Sequence, residues 1–245
     1  MPVLREKSKV SSISRGEAWR MFDRIAVRYD LLNRLLSARR DLAWRTRLVH
    51  FLPQTAGLMV LDLATGTGDV LVALHTREAK PRVSLGLDLS AGMLTLARDK
   101  LRAQGVAETA HLARADALRI PAPEAAFDAV TIAFGIRNVL DVKAALAEMH
   151  RVLRPGGGLL VLEFSLPAKW WFKPVYLWYL RRVLPRMGGL VSGDAGAYRY
   201  LNQTIETFPY GEAFCRLMQQ AGFMNVQAFP LTMGIATIYK GERPA

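Results

Sequence analysis

VLDLATGTGD, residues 60–69, decides the fold. An apolar run ends in an acid, Asp62, and then a turn containing Gly66 and Gly68, with a helical pattern over 70–75 directly behind it. That order predicts a strand, a tight turn and a crossover helix, the first unit of an open α/β sheet. Further apolar runs follow at 83–88, 127–134 and 158–164, with helical patterns over 91–104 and 142–153 between them. Strands that alternate with helices predict a mostly parallel sheet covered on both faces. RPGGG at 154–158 predicts a helix stop and a turn into the next strand. The last two strand candidates, 224–229 and 235–239, are too close for a helical crossover, so one edge of the sheet is expected to be an antiparallel hairpin.

The chain has 245 residues, 51% of them hydrophobic and 22% charged, which suits one well-packed domain rather than a disordered chain. Residues 1–52 read as an N-terminal helical lid and 53–245 as the main domain. An insertion at about 166–210 is expected to cap the carboxyl ends of the strands, where ligands of open sheets sit. The first twenty residues carry no apolar signal or spanning stretch, and Cys215 has no internal partner, so a cytoplasmic chain is expected. His50, His75, His111 and His150 are scattered without metal-ligand spacing, so no metal is expected. The formal charge of +12 suits nucleic acid, anionic lipid or an acidic partner, and its even spread chooses none of them.

Which ligand the turn holds follows from what it lacks. After Gly66 and Gly68 the third glycine of the dinucleotide fingerprint is missing, and so is the Gly-Lys-Ser/Thr of a phosphate loop. The turn carries carboxylates instead, Asp62 before it and Asp69 within it, which would repel a pyrophosphate and favour a ligand with a cationic end. Asp88 ends the next strand twenty residues after Gly68, where an acid accepts both hydroxyls of a ribose. A third strand is expected to end near Asp116-Ala117, in place for an adenine amino group. Ribose, adenine, a sulfonium and an ammonium without phosphate describe S-adenosylmethionine. Alone, Gly-x-Gly is only a strand-to-helix turn; three acids at three successive strand ends carry the reading.

The series DLATGTGD (62–69), Asp88, Asp116-Ala117 and RVLRPGG (151–157) resembles the class I methyltransferases. FDRIAVRYDLLNRLLS (22–37), FGIRNV (134–139), RVLRPGGGLLVLEFS (151–165) and SGDAGAYRYL (192–201) are similar to the ubiquinone/menaquinone C-methyltransferase family, over about 18–239. The resemblance implies a Rossmann-like, mostly parallel seven-stranded sheet with an antiparallel C-terminal edge hairpin and helices on both faces. It implies S-adenosylmethionine-dependent methylation of a ring carbon on a polyprenylated quinol: demethylmenaquinol first, 2-polyprenyl-6-methoxy-1,4-benzoquinol second. The cofactor-binding set is Asp62, Gly66, Thr67, Gly68, Asp69, Asp88, Leu89, Met93, Asp116, Ala117 and Ala133. Three positions depart from the family pattern: Asp41 for a histidine, Ala38 for a glycine and Ala133 for a serine. They leave the choice of quinone open.

Such a reaction needs a phenolate held beside the methyl donor. Arg137 and Asn138 follow the strand 129–134. Arginine stays protonated, so Arg137 suits an oxyanion holder or a water-positioner better than a free base, and Asn138 could orient that water or a quinol oxygen. The alternative for Arg137 is a loop tie to a carboxylate. Tyr29 and Asn33 share a helix face with Asp30 beside them, either closing the pocket or simply packing. Asp194 in the insertion is a candidate base or a turn-stabilising acid. Glu163 either faces the pocket or bonds a loop amide.

KWWFKPVYLWYLRRVLPR (169–186) mixes aromatics with cations, as an interfacial helix on a membrane or a lid over an isoprenoid tail does; a homodimer contact or a core-covering helix is the alternative. No nucleic-acid partner is expected, since neither an RNA-binding module nor an Asn/Asp-Pro-Pro-Tyr motif is present. The rival readings are a methyltransferase for another small lipophilic or phenolic substrate and a non-catalytic cofactor-binding scaffold.

Overall fold

The computed structural model describes residues 15–37, 39–186 and 195–245. After a 3-10 turn at Arg15–Glu17, helices α1 (Ala18–Leu36) and α2 (Arg40–Val49) lead into β1 (Met59–Leu63), α3 (Asp69–Thr76), β2 (Val83–Asp88), α4 (Ala91–Ala103), β3 (Ala110–Arg114) and β4 (Phe127–Ala133). A 3-10 turn at Ile136–Asn138 precedes α5 (Val142–Val152) and β5 (Leu153–Phe164). The chain then forms α6 (Phe172–Trp178), which continues as a π-helical turn at Tyr179–Val183, and α7 (Ala195–Thr207). It ends with α8 (Glu212–Gln220), β6 (Met224–Leu231) and β7 (Ala236–Glu242).

The seven strands lie in the order β3-β2-β1-β4-β5-β7-β6. The first five run parallel, and β7 enters antiparallel between β5 and β6. The strand order reverses between β1 and β4, which opens a crevice at their carboxyl ends.

Alternation along the central strands sends side chains to two faces. Leu61, Leu63, Val130, Ile132, Leu159 and Val161 meet Leu146, Met149, Phe214 and Met218 on one side. Val60, Ala129, Leu160 and Leu162 meet Trp44, Leu48, Leu71 and Leu74 on the other. The N-terminal lid expected over 1–52 therefore divides: α2 is built into the core, and only α1 lies over the strand ends. A third cluster, Met21, Leu166, Tyr176, Leu180, Leu184, Tyr200 and Ile205, joins α1 to α6 and α7.

RPGGG lies inside β5 rather than before it. α5 stops at Val152, Leu153 already pairs with Phe127, and pairing resumes only at Gly158 opposite Ala129. The residues between bulge out, with Gly156 at φ +76°, and a Cβ on Gly157 would come within 2.8 Å of the Arg154 carbonyl oxygen. Glycine at both places is a steric requirement.

Candidate active site

Two cavities meet at the β1/β4 crevice and share Phe22, Tyr29 and Phe134 in their walls. The first, of about 240 Å³, lies over the ends of β1, β2 and β4. Its floor is Leu63, Ala64, Gly66, Ala133 and Gly135, and Asp88, Leu89 and Met93 stand at one side with Asp116 and Ala117 near them. Ala64 at φ 48° and Phe134 at φ 58° hold left-handed backbone at two adjoining strand ends, the kind of strain that gathers at ligand sites. Both Asp88 oxygens accept backbone N–H groups, from Gly66 and from Ser90, each at 2.8 Å. Burial nevertheless raises its pKa above the usual carboxylate range, so hydroxyl donors would find a carboxylate still short of partners. Asp116 accepts the Leu118 N–H at 2.9 Å through Oδ1. The Asn138 Oδ1 is buried with no partner among the described residues, in the wall of the same cavity. α1 supplies a roof of Ala18, Trp19 and Phe22, with Arg15 and Gly16 before it.

These groups fit S-adenosylmethionine: an acid for the ribose, an acid and a backbone amide for adenine, and a floor without bulk. Of the eleven residues expected to bind it, Gly66, Asp88, Leu89, Met93, Asp116, Ala117 and Ala133 line the cavity.

Asp62, Thr67, Gly68 and Asp69 are placed elsewhere, which corrects the idea that turn carboxylates face the cation. Asp62 lies on the opposite face of β1 from Leu63, beside Thr131 of β4, and accepts the Thr131 and Thr65 hydroxyls, each at 2.6 Å. Asp69 begins α3 and is taken by Lys100 at 2.7 Å and Arg34 at 2.6 Å. Burial would raise its pKa, but Arg45 and Lys100 outweigh burial and hold it below the usual range. Thr67 donates to Asp30 at 2.6 Å, and Asp30 in turn pairs with Lys100. Gly68, at φ +83°, lets α3 approach α4: a Cβ there would sit 3.3 Å from the Ala97 Cβ. Asp30, expected in the catalytic group, is thus a tie between α1 and the glycine turn. Asp194 lies outside the described residues.

The second cavity, of about 410 Å³, is walled largely by Met21, Phe22, Ile25, Trp44, Phe164 and Leu184, with Ile205 beyond. Arg137 enters it from the turn after β4. That turn needs Gly135, where a Cβ would fall 2.4 Å from the Ala64 Cβ, and it is anchored by Ile136, fully buried in the core. The buried Arg137 donates through Nη1 to Glu163 Oε1 and to the Phe134 carbonyl, each at 2.6 Å. Its guanidinium lies 5.2 Å from the Phe164 ring centre, and its Nε has no partner among the described residues. The carboxylate tie and the pocket position thus coexist. Glu163, on β5 and fully buried, fixes the arginine, and also accepts the Phe164 N–H at 2.8 Å. Tyr29, Asn33, Ser37, Arg40, Asp41 and Arg45 form a polar end, in which Asp41 pairs with Arg34 and Arg45. Nothing in the sequence marks Arg45 for the cavity. The helical periodicity of α1 could have found Trp19, Phe22 and Ile25 beside Tyr29. The mouth includes Val175 and Trp178, 57% and 61% exposed yet lining the cavity.

Residues 10–243 match the ubiE/COQ5 methyltransferase family. The chain is 51% identical over 224 residues to the demethylmenaquinone methyltransferase of Thermus thermophilus, covering 91% of this chain and 100% of that one. It is 47% identical over 231 residues to the ubiquinone/menaquinone biosynthesis C-methyltransferase UbiE of Geobacter sulfurreducens, covering 94% and 90%. Among solved structures, an S-adenosylmethionine-dependent methyltransferase of Thermotoga maritima shares the fold at TM-score 0.65 and 19% identity, covering 92% of this chain and 99% of that one. Phosphoethanolamine N-methyltransferase 2 of Haemonchus contortus, in complex with phosphomonomethylethanolamine and S-adenosylhomocysteine, shares it at TM-score 0.67 and 14% identity, covering 95% and 61%.

Proposed function

Because the chain belongs to the ubiE/COQ5 methyltransferase family, we propose that it methylates a ring carbon of a polyprenylated quinol in quinone biosynthesis, with demethylmenaquinol as its first substrate. The observation that carries this reading is the pair of cavities with a common wall. One is lined with the acids that suit a nucleoside; the other is largely apolar, with a polar end at Asp41 and Arg45 and the buried Arg137 guanidinium in its wall. S-adenosylmethionine, when bound, supplies the methyl group from its sulfonium. Asp88 would hold the ribose hydroxyls, and Asp116 with the Ala117 backbone the adenine. Tyr29 and Phe134, common to both walls, would keep water from the point of transfer and set the ring's approach.

Arg137 is the group suited to stabilise a phenolate oxygen, since it stays protonated and its charge is only partly met by Glu163. Fixed by the Glu163 carboxylate and the Phe134 carbonyl, it needs little rearrangement as charge develops. We further infer that 169–186 rests on the surface of the membrane that holds the quinol, with the cavity mouth at that surface. Trp170, Trp171, Val175 and Trp178 are exposed there, alongside Lys169 and Arg182.

The test is incubation with methyl-labelled S-adenosylmethionine and two reduced short-tailed quinols, a demethylmenaquinol and a methoxybenzoquinol. Label on a ring carbon of either supports the reading and ranks the two. In Arg137→Ala the rate should fall on the order of 10²-fold or more. Its affinity for S-adenosylhomocysteine should stay, because Arg137 lines the other cavity. Cofactor binding without transfer to either quinol would favour the scaffold reading.

A further inference from the structure

Tyr200, on α7, is 7% exposed and lines the second cavity. Its hydroxyl is buried without a hydrogen-bond partner among the described residues, and so is the Arg137 Nε in the same wall. α7 packs on the Ile136–Asn138 turn that carries Arg137, so helix and turn present their polar groups to one space. A buried hydroxyl without a partner destabilises a fold, and Phe would fill the site at no such cost. Two buried donors facing one cavity, neither with a partner among the described residues, are the mark of a ligand oxygen.

We propose that the Tyr200 hydroxyl donates a hydrogen bond to the acceptor's ring oxygen beside Arg137, the two groups together holding that oxygen as it gains negative charge. This rests on the quinol reading above. Burial raises the Tyr200 pKa above the ordinary phenol value, against the pull of Arg137. The group therefore stays protonated at neutral pH and serves as a donor, not as a base. Tyr176 of α6 lines the same cavity and is likewise raised by burial. Phe134, Phe164, Leu180 and Ile205 supply hydrocarbon and aromatic surface to the same cavity, which strengthens each donor by excluding water.

The experiment compares Tyr200→Phe with the parent protein in four readouts: kcat on the short-tailed demethylmenaquinol, the pH profile of kcat, Tm, and affinity for S-adenosylhomocysteine. If the hydroxyl binds the developing phenolate, kcat falls roughly 10- to 100-fold. The acid limb of the profile moves to higher pH, because the bound substrate loses a donor that favoured its ionised form. Tm stays or rises, since an unpartnered buried hydroxyl has been removed, and cofactor affinity is unchanged. An unchanged kcat and pH limb overturn the proposal. So does a fall in kcat matched by losses of Tm and cofactor affinity, which marks a packing role. A parent protein inactive on both quinols overturns the underlying reading and this inference with it; a parent that is active beside an unaltered variant overturns this inference alone.

Discussion

At the end of β1 the Asp62 carboxylate has two hydroxyl partners and no ion-pair partner among the described residues, and burial pushes its pKa to about 7. In the unfolded chain an aspartate ionises near pH 4, so between about 4 and 7 the folded state binds the extra proton. The contribution of this group to stability is complete below about pH 4 and is lost as the pH rises through about 7. Asp62→Asn, neutral throughout and able to keep both hydroxyl contacts, should escape that loss. Its Tm relative to the parent is therefore expected to rise between pH 5 and pH 8. A difference that stays constant over that range would mean that Asp62 is ionised in the fold throughout. Asp88 and Asp116, at and just beyond the ends of β2 and β3, could be placed near the carboxyl edge of the sheet from strand ends alone. The fate of Asp69 could not be read that way. Its partners Arg34 and Lys100 are 35 and 31 positions away, and only folding brings cations across that distance.

α1 is the element on which both cavities depend. It roofs the first cavity, the proposed cofactor site, with Trp19 and Phe22, walls the other with Met21, Ile25 and Asn33, and is pinned at two points. Asp23 accepts the Ser90 hydroxyl at 2.5 Å and the Gly92 N–H at 2.8 Å, beside the loop that holds Asp88. Those two bonds, the Ser90 one the stronger, lower the Asp23 pKa against the effect of burial. Further along, Asp30 meets Thr67 and Lys100. Asp23→Ala removes the pin nearest the ribose end. Affinity for S-adenosylhomocysteine should fall roughly tenfold, the scale of one charge-assisted hydrogen bond, with faster amide exchange in α1. An unchanged affinity would show that Asp30 and Arg34 hold the helix unaided. The amphipathic pattern of α1 was readable in the sequence. That α2 belongs to the core was not, because Trp44 and Leu48 find their partners on β4, β5 and α3.

For the molecule as a whole, the charge of +12 and the aromatic face around the cavity mouth bear on the same question. No helix among the described residues is long and apolar enough to cross a membrane; the proposed membrane contact rests on the exposed face around the cavity mouth. Trp170 is 85% exposed and Trp178 61%; indole rings favour the headgroup boundary, and each nearby cation could add about 1 kcal/mol on anionic lipid. The parent protein should sediment with vesicles containing phosphatidylglycerol and less with neutral ones, and added salt should release it. Trp170→Ser with Trp178→Ser should lose most of that binding while keeping cofactor affinity. Equal binding to both vesicle types would remove the role of charge, and concentration-dependent dimers abolished by the same changes would assign the face to a second copy.

The sequence by itself determined the order of strands and helices, the antiparallel edge, the glycine turn and the acids at the strand ends. Each of these depends on neighbours a few positions away: periodicity, turn chemistry, the end of a strand. Tertiary structure decided which carboxylates face a ligand and which face cations or hydroxyls. Asp62 and Asp88 both end strands, yet one points toward the α2 and α3 layer and the other into the cofactor cavity. It also decided that Arg137 and Tyr200, from a turn and a helix, line one cavity, and that Glu163 of β5 holds the arginine there. The reason is physical: burial and charge pairing depend on the sum of all packed neighbours, and those neighbours are assembled only when the chain closes over the sheet.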